Sequence, residues 1–523
     1  MGQVAGHLER TWPDDPQVTA WLASPRADLV SERRVDGVPE GAGSHSFDQD
    51  DGPFSDYRRV VEFRHDDGIG TWHESVRYRL DIPWFAWMFA RLVRRHVARR
   101  TPGPEPLKQP AWSPPDRLTA RQVHVLGLLA AASLSSAFVN TLFTQTVAFA
   151  SDDFGIGDWG RGVAGTVVRL GILIGLPAAF LADRIGRRRV VVTLAWAAPL
   201  IASLGALAPN FPVLVATQTI SRPLGLALDL LIAVVAAEEM PRSSRAYAIS
   251  ILAMANGLGA GVAVAALPLA DLGTSGWRLV YAVALVWLVV ALDLARRLPE
   301  TQRFERRRLQ ASARPAVTAT EHGRRRLAIQ MAVAFCGNLL LSPASFFQNS
   351  FLKDERGFSA GLVSIFTAVT AAPAVIGLVI GGRVADRRGR RRVAAGCVPV
   401  GAVFIALSFQ FTAVWMWTAA IIGAIVAAAA YPSLAVYRTE LFPTANRGWA
   451  ASLILASALI GGSISLLVTG ALLDAGLSYG TVMLSLVAGP LVVALIVLTT
   501  YPETAHRELE DLNPEDRDHH IGW

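Results

Sequence analysis

The sequence predicts an all-α membrane protein: twelve transmembrane helices in two pseudo-symmetric six-helix bundles, with a small N-terminal extension on the cytoplasmic side. Three observations predict it. The first is an internal repeat. Ala-Asp-Arg-Ile-Gly-Arg-Arg-Arg from Ala182 to Arg189 returns as Ala-Asp-Arg-Arg-Gly-Arg-Arg-Arg from Ala385 to Arg392, 203 residues on. Glu238, Pro241 and Arg245 are answered by Glu440, Pro443 and Arg447 at an offset of 202, and Pro-Glu-Thr from Pro299 by Pro-Glu-Thr from Pro502 at 203. The second is composition: 52% of the 523 residues are hydrophobic and only 17% charged. A bilayer core of roughly 30 Å demands about 20 apolar residues of a helix. Apolar runs of that length dominate from residue 119 to 498. The third is where the arginines sit.

Window length places spans near 122–149, 160–182, 188–208, 211–237, 244–270 and 277–296, then near 326–351, 358–382, 391–411, 413–438, 447–472 and 479–500. Prolines within them, such as Pro177, Pro199, Pro223, Pro268, Pro373 and Pro432, are tolerable because neighbouring helices re-satisfy the freed carbonyls. The joints after the second and eighth spans carry Arg187 to Arg189 and Arg390 to Arg392, and the joint between the halves carries Arg296, Arg297, Arg303 and Arg306 to Arg308. The alternate joints carry Asp152, Asp153, Asp158, Asp271 and Asp474, with a mixed Lys353-Asp354-Glu355-Arg356 turn. The positive-inside rule then expects both termini in the cytoplasm and the chain in the cell's inner membrane.

The expected domains are 1–57, a disordered tail rich in Asp, Gly, Pro and Ser; 58–117, a small soluble hairpin with an amphipathic helix and a Pro-rich linker; 118–298, the first bundle; 299–323, an Arg-rich cytoplasmic linker; 324–500, the second bundle; and 501–523, a cytoplasmic tail. In 58–82, alternating residues flank Asp66-Asp67-Gly68, as in a β-hairpin. The segment from Pro83 to Arg95 is too short and too basic to span. It reads as a helix lying in the cytoplasmic interface with its arginines on anionic lipid, or as a helix packed on the hairpin.

The net charge of +7 belongs to this membrane pattern, so nucleic acid is not an expected partner. Cys336 and Cys397 lie in apolar runs as small buried hydrophobes, and His65 with His73 lacks further metal ligands. No nucleophile–base pair or ligand cluster points to an enzyme, a metal or a cofactor.

The ordered motifs resemble the major facilitator superfamily over about residues 119–510. The Gly-x-x-x-Asp-Arg-x-Gly-Arg-Arg signature is complete from Gly382 to Arg391, and the first copy has Ala179 in place of its leading glycine. With Glu-x-x-Pro-x-x-x-Arg and Pro-Glu-Thr, this is similar to the sugar-porter and organic-solute (general substrate transporter) branch. The hexose signatures of spans seven and ten are not matched at Phe335 to Leu339 or Ala429 to Ser433. The resemblance implies a cytoplasmic gate network of Asp183, Arg184, Arg187, Glu238, Arg245, Glu300, Asp386, Arg387, Arg390, Glu440, Arg447 and Glu503. It implies a monomeric secondary transporter of a small solute, working by alternating access. Proton-coupled symport is the expected mode; drug-like efflux antiport and a non-transporting sensor are the alternatives. Membrane lipid and, in symport, protons are the expected partners besides the solute.

Ionisable groups in hydrocarbon mark a pathway because each costs several kcal/mol. Arg169, Arg222 and Asp229 are such groups. Asp229 with Arg222, seven residues away on one helical face, is the candidate for proton coupling, or else a structural ion pair. Asn140, Gln145, Gln218, Asn256, Asn338, Gln348 and Asn349 are candidates for the solute cavity, or else helix–helix glue.

Overall fold

The computed structural model of the chain describes residues 3–35, 44–66, 69–99, 110, 112–114, 116–172, 185–241, 244–300, 321–440 and 447–503.

The N-terminal region is a folded domain. Strands β1 (Gln3–Pro13), β2 (Ser31–Arg34), β3 (Ser44–Asp51), β4 (Phe54–Asp66) and β5 (Ile69–Asp81) form an antiparallel sheet in the order β1-β5-β4-β3-β2. Helices α1 (Pro16–Leu22) and α2 (Ala86–Ala98) both cover the buried face of it, α1 over Val61 and Trp72 and α2 over Val76, Tyr78 and Leu80. This corrects the expected disorder of 1–57, where described strands now stand at 3–13, 31–34 and 44–51. The misreading has a physical cause: these strands are polar, and β3 contributes little more than Phe47 to the core. They are held by partners distant in sequence. Arg59 of β4 is fully buried; it donates to Glu32 of β2 at 2.7 Å and to the carbonyls of Leu22 and Ser24, and it stacks over Phe47 at 4.0 Å. Arg26 donates to Asp28 at 2.6 Å, and His96 of α2 reaches the same carboxylate at 2.9 Å.

Burial alone would push the carboxyls of Asp28 and Glu32 up, but the cations and hydrogen bonds around them hold both below the usual carboxylate range. Groups with depressed folded values lend stability that is full above the unfolded value of about 4 and is lost progressively as pH falls from there through the folded value. Hydrogen-exchange protection of strands β1–β5 is therefore expected to fade below about pH 4, ahead of the spans. Equal persistence of both would sink this expectation.

Eleven helices among the described residues are long and apolar enough to cross a membrane. Helix α3 (Ala120–Asp153) opens the first half with a capping box in which Thr119 and Gln122 satisfy each other's backbone N–H. Helix α4 (Asp158–Leu170) begins the expected second span, whose remainder, with Pro177, lies outside the described residues. Then follow α5 (Arg187–Ser203), α6 (Phe211–Glu239), α7 (Arg245–Ala266), α8 (Trp277–Ala282) and α9 (Leu288–Arg297). The second half runs α10 (Glu321–Asp354), α11 (Ala360–Ala371), α12 (Ala374–Arg388), α13 (Arg390–Ser408), α14 (Ala413–Glu440), α15 (Arg447–Asp474), α16 (Tyr479–Leu486) and α17 (Ala488–Thr500). Pro373 interrupts the eighth span between α11 and α12, whereas Pro199, Pro223 and Pro432 stay inside unbroken helices.

The duplication extends to packing. Gly259 of α7 lies so close to the Leu134 backbone of α3 that a Cβ would strike it, and Gly461 of α15 meets Phe335 of α10 in the same way. At the end opposite the Arg-rich joints, one apolar core runs through both halves, joining Phe143 and Trp277 to Phe346, Phe347 and Tyr479. Toward the Arg-rich end it divides: one core contains only first-half residues, such as Leu128 and Leu294, and another only second-half residues, such as Ala394 and Val497.

Candidate functional site

The Arg-rich end shows how the repeated motif works. Gly186 and Gly389 precede α5 and α13 with φ of 105° and 100°. L side chains rarely adopt that region. Each turn exposes helix N-terminal N–H groups, and the glutamate of Pro-Glu-Thr fills them. Glu300 accepts from the Arg188 N–H at 3.1 Å; Glu503 accepts from those of Arg390 at 2.9 Å and Arg391 at 3.3 Å. The guanidinium of Arg188 returns to the carbonyls of Leu298 and Ala295, and that of Arg391 to the carbonyl of Leu498. Thus each half locks its third span to its own sixth. Arg187 forms an ion pair with Glu238, both nearly buried. Arg245 stands at the first position of α7, and Arg387 is exposed. Asp183 and Arg184 lie outside the described residues, as do the side chains of Asp386, Glu440 and Arg447. Arg188 and Arg391, which are not among the expected network residues, carry bonds to the sixth and twelfth spans beside Arg187 and Arg390.

The opposite end holds a charge cluster that sequence reasoning missed. Arg161 of α4, its side chain only 6% exposed, reaches Asp158 at 3.0 Å, Asp152 at 2.5 Å and, across the halves, Asp354 at 2.6 Å. Lys353 pairs with Asp152, and the Tyr479 hydroxyl donates to Asp158 at 3.0 Å. Asp271 accepts the N–H of Ala360 at 2.7 Å and that of Gly361 at 2.8 Å. Its charge thereby sits on the N-terminus of α11, where the helix dipole favours an anion. A signal was present: acidic joints in the first half oppose a Lys-bearing joint in the second.

Between these ends lie the intramembrane polar groups. Asp229 accepts from Asn256 at 2.9 Å and, more weakly, from Asn140 and Ser133 at 3.4 Å. Among the described residues it makes no ion pair. The expected partnership with Arg222 is absent there. Their spacing along the helix separates the two by about 10 Å on its axis, and the Arg222 Nε is buried without a hydrogen-bond partner among the described residues. Arg169 instead bridges the halves, donating to Asn338 of α10 at 2.9 Å. It lies in the last turn of α4, whose first residue is Asp158. At about 1.5 Å per residue that puts it roughly 16 Å along the axis, near the centre of a bilayer core.

The candidate cavity residues divide. Asn140 and Asn256 surround Asp229, and Asn338 holds Arg169. Gln145 and Asn349 bond each other across the halves at 2.9 Å. Gln348 reaches Thr367 on the adjacent span. Gln218 is fully buried and donates to the Ala202 carbonyl, which makes it helix–helix glue and corrects its assignment to the cavity. Among the described residues no group of His, Cys, Asp or Glu is arranged to hold a metal ion.

No curated protein matches the sequence. Solved structures match the fold. A mutant of the nucleoside transporter NupG is 13% identical with a TM-score of 0.61, covering 72% of this chain and all of that one. The xylose transporter XylE from E. coli, in an inward-open conformation, is 16% identical with a TM-score of 0.60, covering 75% and 99%. A bacterial homologue of the human lysosomal transporter Spinster, inward-facing and unoccupied, is 18% identical with a TM-score of 0.56, covering 72% and 94%. The Major Facilitator Superfamily profile matches residues 128–364 and 327–519. With its duplicated bundles and paired end-caps, the chain belongs to the Major Facilitator Superfamily.

Proposed function

We propose that this protein is a proton-coupled symporter of twelve spans, in the organic-solute branch of its superfamily. It carries a small polar or organic solute across the inner membrane by alternating access, with the Arg-rich face and both termini in the cytoplasm. The observation that carries this reading is the asymmetry of the core: continuous through both halves at one end, divided between them at the other. A carrier closed outside and parted inside has that distribution of apolar contact, since rocking requires each half to keep its own core while exchanging a shared one. The solute would lie between Arg169–Asn338 and the Asp229 cluster, where polar groups of both halves meet hydrocarbon depth.

Asp229 is the proton carrier in this reading. Its carboxylate meets Asn256, Asn140 and Ser133 and, among the described residues, no cation, so it is not committed to a structural ion pair. Solute is first found by thermal shift across sugars, nucleosides, carboxylates and aromatic compounds. Asp229→Asn is then expected to lower pH-gradient-driven accumulation in proteoliposomes by about tenfold or more, within the usual range of coupling free energies. Solute exchange without a gradient should persist. Gradient-driven uptake undiminished in the variant would remove Asp229 from the coupling step.

A further inference from the structure

The N-terminal domain does not hang free of the bundle. The Trp84 indole donates to Asp293 of α9 at 3.1 Å, His124 of α3 meets Asp81 at 3.0 Å, and the Tyr247 hydroxyl of α7 donates to the Trp112 carbonyl at 3.1 Å. Every one of these bonds reaches the first half. Between the domain and spans one and five they leave an apolar cavity of about 130 Å³. Its walls come from Met88, Phe89 and Val93 of α2, Leu126 of α3, and Met254 and Leu258 of α7. An apolar void of this order admits a guest the size of benzene, and water gains nothing by entering it.

Two features say what covers it. Met254 and Leu258 are 59% and 51% exposed on a membrane span, so the cavity continues onto a surface that faces acyl chains. Helix α2 buries Val93 and Val97 against the sheet yet leaves Trp87, Met88 and Leu92 exposed, beside exposed Arg91, Arg94 and Arg95. Apolar side chains next to the cavity and three cations one turn away match the two ends of one molecule. Asp116, also on the wall, is engaged by Ser244.

We propose that this cavity takes the first few methylenes of one acyl chain of an anionic phospholipid from the leaflet on the Arg-rich side, with its headgroup on Arg91, Arg94 and Arg95. The bound lipid fills the seam between the soluble domain and spans one and five, and fixes the domain to the half that carries Asp229. The proposal is independent of what the protein transports.

The test uses the full chain in phosphatidylcholine nanodiscs carrying a minor fraction of phosphatidylglycerol, or of phosphatidylcholine, with a photoreactive group on one acyl chain. Photoadducts are mapped by peptide. Adducts are expected to concentrate on the peptides holding Met88 and Phe89 and those holding Met254 and Leu258, above the exposed Val375–Ile376 surface of the second half. Phosphatidylglycerol is expected to label them about fivefold more strongly than phosphatidylcholine, the worth of about one arginine at an anionic surface. Met88→Trp with Met254→Trp should close the mouth and remove most of this labelling while leaving the second-half surface unchanged. Arg91→Gln with Arg95→Gln should erase the headgroup preference. All four positions are exposed, so the variants keep the fold. Labelling equal to that of the second-half surface, labelling that survives the tryptophans, or a preference that survives loss of the arginines would each overturn the proposal.

Discussion

Replacing Arg161 with alanine is expected to open the gate opposite the Arg-rich joints. In the native protein one guanidinium satisfies Asp152 and Asp158 of the first half and Asp354 of the second. Its removal deletes one of the bonds across the halves and leaves those carboxylates facing one another with Lys353 and the Tyr479 hydroxyl to meet them. A charged hydrogen bond of this kind contributes about 2 kcal/mol, so the closed population should fall roughly thirtyfold relative to the open one. Like-charge repulsion acts in the same direction. Spin labels at Thr274 and Thr412, exposed at that end of opposite halves, would report the distance distribution after Cys336 and Cys397 are replaced by serine. Arg161→Lys should restore part of the closed state, because charge survives although the fork geometry does not. An unchanged distribution in Arg161→Ala would show that the shared apolar core and the remaining polar contacts of Asp271, Lys353 and Tyr479 hold this end shut without it.

Arg59→Met is expected to cost the N-terminal domain about 3–5 kcal/mol, the usual effect of removing one partner from a buried pair. Glu32 would be left buried with only Tyr57 and the Arg26 N–H, Glu74 would lose one of its cations, and the carbonyls of Leu22 and Ser24 would lose the Arg59 donor. Small domains have about 5–15 kcal/mol in total, so a large share would go. Hydrogen exchange over β1–β5 in the full chain measures it. The double variant Arg59→Met, Glu32→Gln should lose less than the single one, since it buries no orphan charge opposite the methionine. A loss in the single variant below about 1 kcal/mol would mean that Glu32 is satisfied without Arg59.

Much of the Arg-rich end was legible because its signals are local. Gly186 and Gly389 turn the chain within their own motif, and each capping glutamate recurs at the same offset from its glycine. Which arginine bears each bond was not legible, since adjacent residues on a helix point about 100° apart and only the helix's rotation selects between them. The N-terminal sheet was read only as a β4–β5 hairpin. That hairpin alternates in sequence, while β1 owes its place to its pairing with β5, and β2 and β3 owe theirs to Arg59, Arg26 and Phe47, partners made by folding.

The sequence by itself determined that the chain is a duplicated, membrane-spanning facilitator with its arginines on one side. Hydropathy and loop charge act over one span at a time, so they survive in a linear string. Only the tertiary structure decided that Arg161 pairs with Asp354 across the halves, that Asp229 stands apart from Arg222, and that Arg169 joins the halves through Asn338. Those outcomes depend on how helices rotate about their axes and which neighbours they meet. A turn of half a residue's arc changes a buried charge's partner while leaving the hydropathy of the sequence untouched.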